Sequence, residues 1–181
     1  MTINLDLGHM PPPPKNKELR IGAIGAGFIM RDVHLVAYHD AGYNVAAIAS
    51  ANPESSSAVA DRHSIARAYE TYQQLLADES IEVLDIAVPP HVQPEVIRAA
   101  LPHADHIRGI LAQKPLATTF KEARELVRLC DKAGIILAVN QNMRYDQSIR
   151  AAKTVLDRGY LGEPVLGTIE MRAIPHWMPW S

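Results

Sequence analysis

The chain carries one cysteine, Cys130, in 181 residues. No intramolecular disulfide can form, which suits a reducing cytoplasm. Net charge is nearly absent as well: 18 Lys and Arg against 20 Asp and Glu leave −2. That gives no electrostatic footprint for nucleic acid or for an anionic membrane. No apolar run reaches membrane-spanning length, and the first residues lack the basic-then-apolar pattern of a signal peptide. Gly-x-Ser-x-Gly and P-loop motifs are missing, which argues against hydrolase and NTPase chemistry. Among the eight histidines, His103 and His106 only flank Ala104-Asp105 in a predicted loop, without a Cys or His cluster, so no metal site is expected. What remains is an ordinary globular composition, 48% apolar and 21% charged, sufficient for one sizeable core.

Residues 1–18 run through Pro11-Pro12-Pro13-Pro14 into Lys15 to Glu18, and are expected to form an extended, mobile arm. From Leu19, short apolar runs alternate with amphipathic segments. The runs are Leu19–Gly25, Asn44–Ser50, Arg67–Tyr69, Glu82–Val88, Ile107–Gln113 and Ile135–Asn140. Most are apolar at nearly every position, as in parallel strands covered on both faces. Asn52-Pro53 reads as an N-cap with proline at the first helical position. Thr119 and Glu122 have capping-box spacing, with Phe120, Ala123, Val127 and Cys130 on one helical stripe. The alternation predicts an α/β fold: a doubly wound parallel sheet over residues 19–142. Residues 143–181 read as the start of a truncated α+β domain, with a helix over Tyr145 to Gly159 and a half-exposed antiparallel strand over Gly162 to Arg172.

The chemistry concentrates at predicted strand ends. In Leu19-Arg-Ile-Gly-Ala-Ile-Gly-Ala-Gly-Phe-Ile-Met30 a buried strand runs into a glycine turn and then a helix. Gly25 and Gly27 let the backbone turn sharply and approach a pyrophosphate, with Phe28 and Ile29 opening the helix whose N–H groups can hold it. Met30 replaces the third small residue of the full fingerprint. Ser50, Val88-Pro89-Pro90, Gln113-Lys114-Pro115 and Asn140 close the other strands, and in an open parallel sheet such ends share one ligand-binding edge. A dinucleotide cofactor, NAD or NADP, is therefore expected. Ser50-Ala51-Asn52 offers no acid for a ribose 2′-hydroxyl and leaves room for a 2′-phosphate, which tips the expectation towards NADP; Arg31, Arg62 or Arg67 would have to reach that phosphate. Lys114 is the candidate catalytic residue, because an ammonium beside a reacting hydroxyl stabilises developing alkoxide, and burial would fit it for proton transfer. His34, on the first helix, reads as packing or capping.

In order, the landmarks Gly25-Ala-Gly27-Phe-Ile, His34, Leu84-Asp-Ile-Ala-Val-Pro-Pro90, Gln113-Lys114-Pro115-Leu116-Ala117, Val139-Asn-Gln-Asn-Met-Arg144-Tyr145 and Gly159-Tyr-Leu-Gly162-Glu-Pro-Val165 resemble the N-terminal part of the Gfo/Idh/MocA oxidoreductase family. The resemblance implies a hydride exchanged between a nicotinamide and a hydroxyl-bearing carbon of a sugar, polyol or cyclitol. The family's Glu-Lys-Pro motif corresponds to Gln113-Lys114-Pro115, and Lys114 to its substrate-contacting lysine. Gln93 stands where the family usually has a histidine, and Arg144 matches an arginine near the nicotinamide end. The resemblance further implies a substrate-binding sheet beyond residue 175, the usual subunit interface, so a homo-oligomer is expected where that sheet is present. The partner is then a small-molecule substrate. A rival reading is a non-catalytic dinucleotide-binding module, or a truncated partner subunit without turnover of its own; both bind NAD(P), and hydride transfer separates them.

Overall fold

The computed structural model describes residues 6–170. Residues 14–140 form one compact unit, and the described residues before and after them form a second. The first is built on six strands: β1 (Ile21–Ile24), β2 (Val45–Ala49), β3 (Arg67–Tyr69), β4 (Val83–Ile86), β5 (Gly109–Gln113) and β6 (Ile136–Asn140). Their order is β3-β2-β1-β4-β5-β6, and every pairing is parallel. This is the doubly wound arrangement, whose order reverses at β1. All six predicted runs contain a strand, and β1, wholly buried, lies at the centre.

Helices cover both faces because the central strands are apolar on both. A wide π-type turn (Ile29–His34) leads directly into α1 (Leu35–Ala41). There follow α2 (Pro53–His63), α3 (Tyr72–Leu76), α4 (Gln93–Ala100) and α5 (Phe120–Ala133). One core layer gathers Met30, Leu35, Ile48, Val59 and Ile65. The larger one joins Leu75, Leu84, Ile86, Ile97, Ile110 and Leu126.

Caps act much as the sequence suggests, with one exchange. Asn52 Oδ1 accepts from the Glu54 and Ser55 amides at 3.0 and 3.4 Å. Thr119 Oγ1 accepts from the Glu122 amide at 3.2 Å, but the Glu122 carboxylate turns away to Arg98 of α4. The reciprocal box sits instead at Thr71 and Gln74, opening α3. The stripe on α5 is also displaced. Leu126 and Cys130 are fully buried, whereas Phe120 is 79% and Val127 42% exposed; the buried arc centres on Leu126 and leaves those two on its rim. Leu126→Ala is accordingly expected to cost about 2–5 kcal/mol, and Phe120→Ala no more than about 0.5 kcal/mol, in urea denaturation. Equal costs would refute this assignment of faces.

The predicted arm is tied down. Lys17 Nζ donates to the Ala41 carbonyl at 2.9 Å and lies 5.7 Å from the Tyr43 ring centre. In the second unit, Arg150 Nε donates to the Gly8 and His9 carbonyls, both at 3.1 Å. Arg150 belongs to α6 (Gln147–Asp157), capped by Asp146, whose Oδ1 accepts from the Ser148 and Ile149 amides. Helix α6 confirms the predicted helix, slightly shortened.

The predicted strand over Gly162 to Arg172 is corrected: residues 164–170 are not in a strand. Val165, Leu166 and Ile169 are 96%, 88% and 92% exposed. A lone strand without partners gains neither ladder bonds nor apolar burial. Met171 and Arg172 lie outside the described residues.

Candidate functional site

Strand β1 delivers the chain into a turn that only glycine fits. Gly25 has φ +108°, and a Cβ there would lie 2.3 Å from the Ala87 carbonyl oxygen. That carbonyl is fixed, because the Ala87 amide donates to Ile24 O at 2.8 Å, while the Gly25 amide donates to Ala49 O at 2.8 Å. The turn is thus locked between β2 and β4. Gly27 differs: a Cβ there would meet nothing within 4 Å. Its missing side chain leaves open space beside the start of a helix, where the helix dipole favours an anion.

Around that space lies a cleft of about 310 Å³ lined by Gly25, Ala26, Gly27, Ser50, Ala51, Asn52, Ser55, Ala87, Val88 and Pro89. Seven of the sequence-predicted residues therefore meet: Gly25, Gly27, Ser50, Ala51, Asn52, Val88 and Pro89. An adjoining cleft of about 230 Å³ shares Ser50, Ala51 and Val88 and adds Glu70 to Gln73, Val92 and Val96. Sequence reasoning missed this mostly apolar slot. Its signal was the strand-end rule that flagged Val88, applied to β3, whose three-residue run was faint.

Other expected residues fall elsewhere. Phe28 and Ile29 are 47% and 39% exposed at the helix start and do not line the cleft. Gln93 is completely buried, so it stands behind the strand ends rather than facing a ligand. Its Nε2 donates towards the carbonyls of Gln113 at 2.8 Å, Pro115 at 3.1 Å and Leu116 at 3.0 Å, and its Oε1 accepts from the Gln113 amide at 2.8 Å. Lys114 follows β5 on the ligand edge, but it is exposed. Expected burial is not found, because Gln93 fills the inner position and the loop carries Lys114 outward. The ammonium has no partner among the described residues. The Lys114–Pro115 peptide bond is cis. Arg144 lies in the second unit, on a 3-10 turn (Asn142–Tyr145), where it lines a separate cleft of about 400 Å³ with Tyr145, Arg150 and Lys153.

The arginines expected to reach a 2′-phosphate also differ from expectation. Asp32 holds both Arg31, at 2.6 Å, and Arg62, at 2.8 Å. The hydrogen bond from Arg31 keeps the Asp32 carboxyl below its ordinary range, with Arg62 adding to the effect. Arg67 is paired with Asp78. All three arginines that could have met a 2′-phosphate are thus engaged with acids. Ser50 Oγ donates to Asn52 O at 2.6 Å, closing a neutral loop.

His34 is more than packing. It is buried, and its Nδ1 lies 2.7 Å from Asp85 Oδ2, which also accepts from Tyr38 at 2.8 Å. Its Nε2 faces Asn140 Nδ2 at 3.0 Å. Among the described residues no group of three or more His, Cys, Asp or Glu could hold a metal, and no helix is long and apolar enough to cross a membrane.

A doubly wound sheet, a glycine turn locked at its central strand and an open cradle at the following helix define a Rossmann domain built for a dinucleotide. Residues 19–141 match the model of the oxidoreductase family, NAD-binding Rossmann fold, and the chain belongs to this Gfo/Idh/MocA family. It is 34% identical over 158 residues to D-apiose dehydrogenase of Rhizobium rhizogenes, a match covering 86% of this chain and 44% of that one. An oxidoreductase of Agrobacterium radiobacter, solved with NAD+, L-tartaric acid and magnesium, superimposes with TM-score 0.75 at 33% identity, over 81% of this chain and 42% of that one. The myo-inositol dehydrogenase of Lactobacillus casei, solved with NAD(H) and myo-inositol, gives TM-score 0.73 at 28% identity, over 81% and 43%. The chain spans less than half the length of these relatives.

Proposed function

We propose that this chain is the cofactor-binding part of an NAD(P)-dependent oxidoreductase acting on a hydroxyl-bearing carbon of a sugar, polyol or cyclitol. The observation that carries the proposal is the cleft from Gly25 to Asn52, with open space where a Cβ at Gly27 would stand. Gly25 and Gly27 admit the pyrophosphate, and the helix opened by Phe28 and Ile29 faces its charge. Ser50, Ala51 and Asn52 meet the ribose, and Val88 with Pro89 forms the wall between ribose and base. Tyr72, Val92 and Val96 give the adenine an apolar slot. When bound, the nicotinamide supplies the site that accepts or returns a hydride.

The remaining chemistry falls to the chain. Gln113, Lys114 and Pro115 form the loop at the nicotinamide end, where the Lys114 ammonium stabilises an alkoxide and, in the reducing direction, donates a proton to it and is left as the neutral amine. The sugar or polyol assignment draws on the relatives named above, and Lys114 is the residue through which it would apply here.

For the cofactor, no acid in Ser50–Asn52 rejects a 2′-phosphate, and no unengaged arginine rewards one. The preference for NADP expected from the sequence then shrinks, and both forms should bind within about tenfold of each other, ~1.4 kcal/mol. Fluorescence titration of NADH and NADPH against the purified chain tests this. Lys114→Ala should leave both affinities within about threefold, because an exposed amine adds little binding energy. Loss of all binding in that variant would give the lysine a structural role. Failure of the wild type to bind either cofactor would end the proposal. Hydride transfer with a panel of polyols separates an oxidoreductase from a binding-only module.

A further inference from the structure

We infer that Gln93 is the positioning residue of the Lys114 loop, an assignment that rests on Lys114 serving the nicotinamide end. The chain leaves β5 at Gln113, and among the described residues no backbone group bonds to the backbone of residues 114–118. Three acceptors, the carbonyls of Gln113, Pro115 and Leu116, converge on one nitrogen, Gln93 Nε2, at 2.8, 3.1 and 3.0 Å. The other end of the same amide accepts from the Gln113 N–H at 2.8 Å. A carboxamide carries two N–H donors and one carbonyl, so this side chain is fully used. It is also fully buried, so water cannot stand in for it. Gln93 begins α4, whose Val96 and Ile97 are core residues; the clamp is therefore mounted on a rigid element.

Lys114 sits between two of the clamped carbonyls, and its own amide donates to Gln113 Oε1 at 3.0 Å. The backbone on both sides of its Cα is fixed while its side chain stays exposed. A flexible amine is thereby hinged at a set point, the arrangement that productive contact with a reacting group demands. A carboxylate at position 93 would aim negative charge at three carbonyls. A histidine can replace the clamp in part, with one ring nitrogen donating and the other accepting.

The test uses the 181-residue chain, acetylating lysines with and without saturating NADH and reading Lys114 by peptide mass spectrometry, with exposed Lys132 as the internal standard. In the wild type, NADH should slow Lys114 acetylation about fivefold, since a bound cofactor covers most of the surface it touches. Gln93→His should keep that protection. Gln93→Met, similar in size but lacking donor and acceptor, should lose it while NADH affinity stays within threefold. A merely structural role would lower the melting temperature of Gln93→Met without abolishing protection at Lys114, and retained protection overturns the inference. If Gln93→Met does not fold, Gln93→His decides: protection kept supports the clamp and protection lost overturns it. If NADH fails to protect Lys114 in the wild type, the placement of the lysine at the nicotinamide end falls first, and the inference falls with it.

Discussion

Gly25→Ala should abolish cofactor binding and weaken the fold together, whereas Gly27→Ala should affect binding alone. At position 25 two costs coincide. The φ of +108° lies outside the regions open to an L-residue, a strain of about 1–3 kcal/mol. The added methyl would also stand 2.3 Å from the Ala87 carbonyl, backbone that cannot rotate away. Relief requires β1 to move against β4, at the expense of the Ala87-to-Ile24 and Gly25-to-Ala49 hydrogen bonds. A total loss of about 3 kcal/mol or more is expected, with NADH affinity down by at least about 100-fold. At position 27 the same methyl meets nothing, so the urea midpoint should hold while the group projects into the space the phosphates need. Urea denaturation and NADH titration of both variants decide the matter. A Gly25→Ala protein with wild-type stability and affinity would show that the turn is not locked, and a Gly27→Ala protein with undiminished affinity would show that the cradle is not where the phosphates sit.

The contrast between these glycines also shows what could be read from the sequence. Both belong to one motif, and the motif predicts a turn and a ligand without saying which glycine serves which purpose. Strands were legible because β1 and β2 are apolar on both faces, and that burial leaves continuous apolar runs. The Asn52 cap was legible because capping is local, spanning two or three residues. Long-range partners were not. His34 meets Asp85 across 51 positions and Asn140 across 106, and no periodicity encodes such a pairing. The same holds for Gln93, whose burial depends on the path of the chain after β5, and for Arg31 and Arg62, drawn to Asp32 instead of standing free. The strand expected after Gly162 failed for another reason: alternation marks a segment able to pair, but pairing needs a neighbour.

A loss of stability comparable to that at Gly25 is expected at Asp85. It lies within β4, in register with Ala23 of β1 and Leu111 of β5, so its carboxylate is held in the interior, where charge is costly. Oδ2 receives His34 Nδ1 at 2.7 Å and the Tyr38 hydroxyl at 2.8 Å, while Oδ1 is buried without a partner among the described residues. With the His34 proton on Nδ1, its Nε2 is an acceptor for the Asn140 amide, and the chain Tyr38–Asp85–His34–Asn140 is continuous. Asp85→Ala strands two donors, and at about 1–3 kcal/mol for each unsatisfied group the loss should reach about 3 kcal/mol. Alkaline pH probes the same cluster. Burial, then the nearby Asp85 charge and hydrogen bond, pushes the Tyr38 hydroxyl well above its ordinary ionisation range. A group whose folded pKa is raised contributes stability that is complete below its unfolded pKa, about 10 for tyrosine, and is lost as pH climbs through the folded value. Wild-type urea midpoints should therefore fall above about pH 10. Tyr69 and Tyr72 are raised as well, so the informative quantity is the difference between wild type and Tyr38→Phe. The variant should be the less stable at neutral pH and should lose less on alkalinisation; parallel curves for the two proteins would mean that the Tyr38–Asp85 bond contributes nothing to the fold.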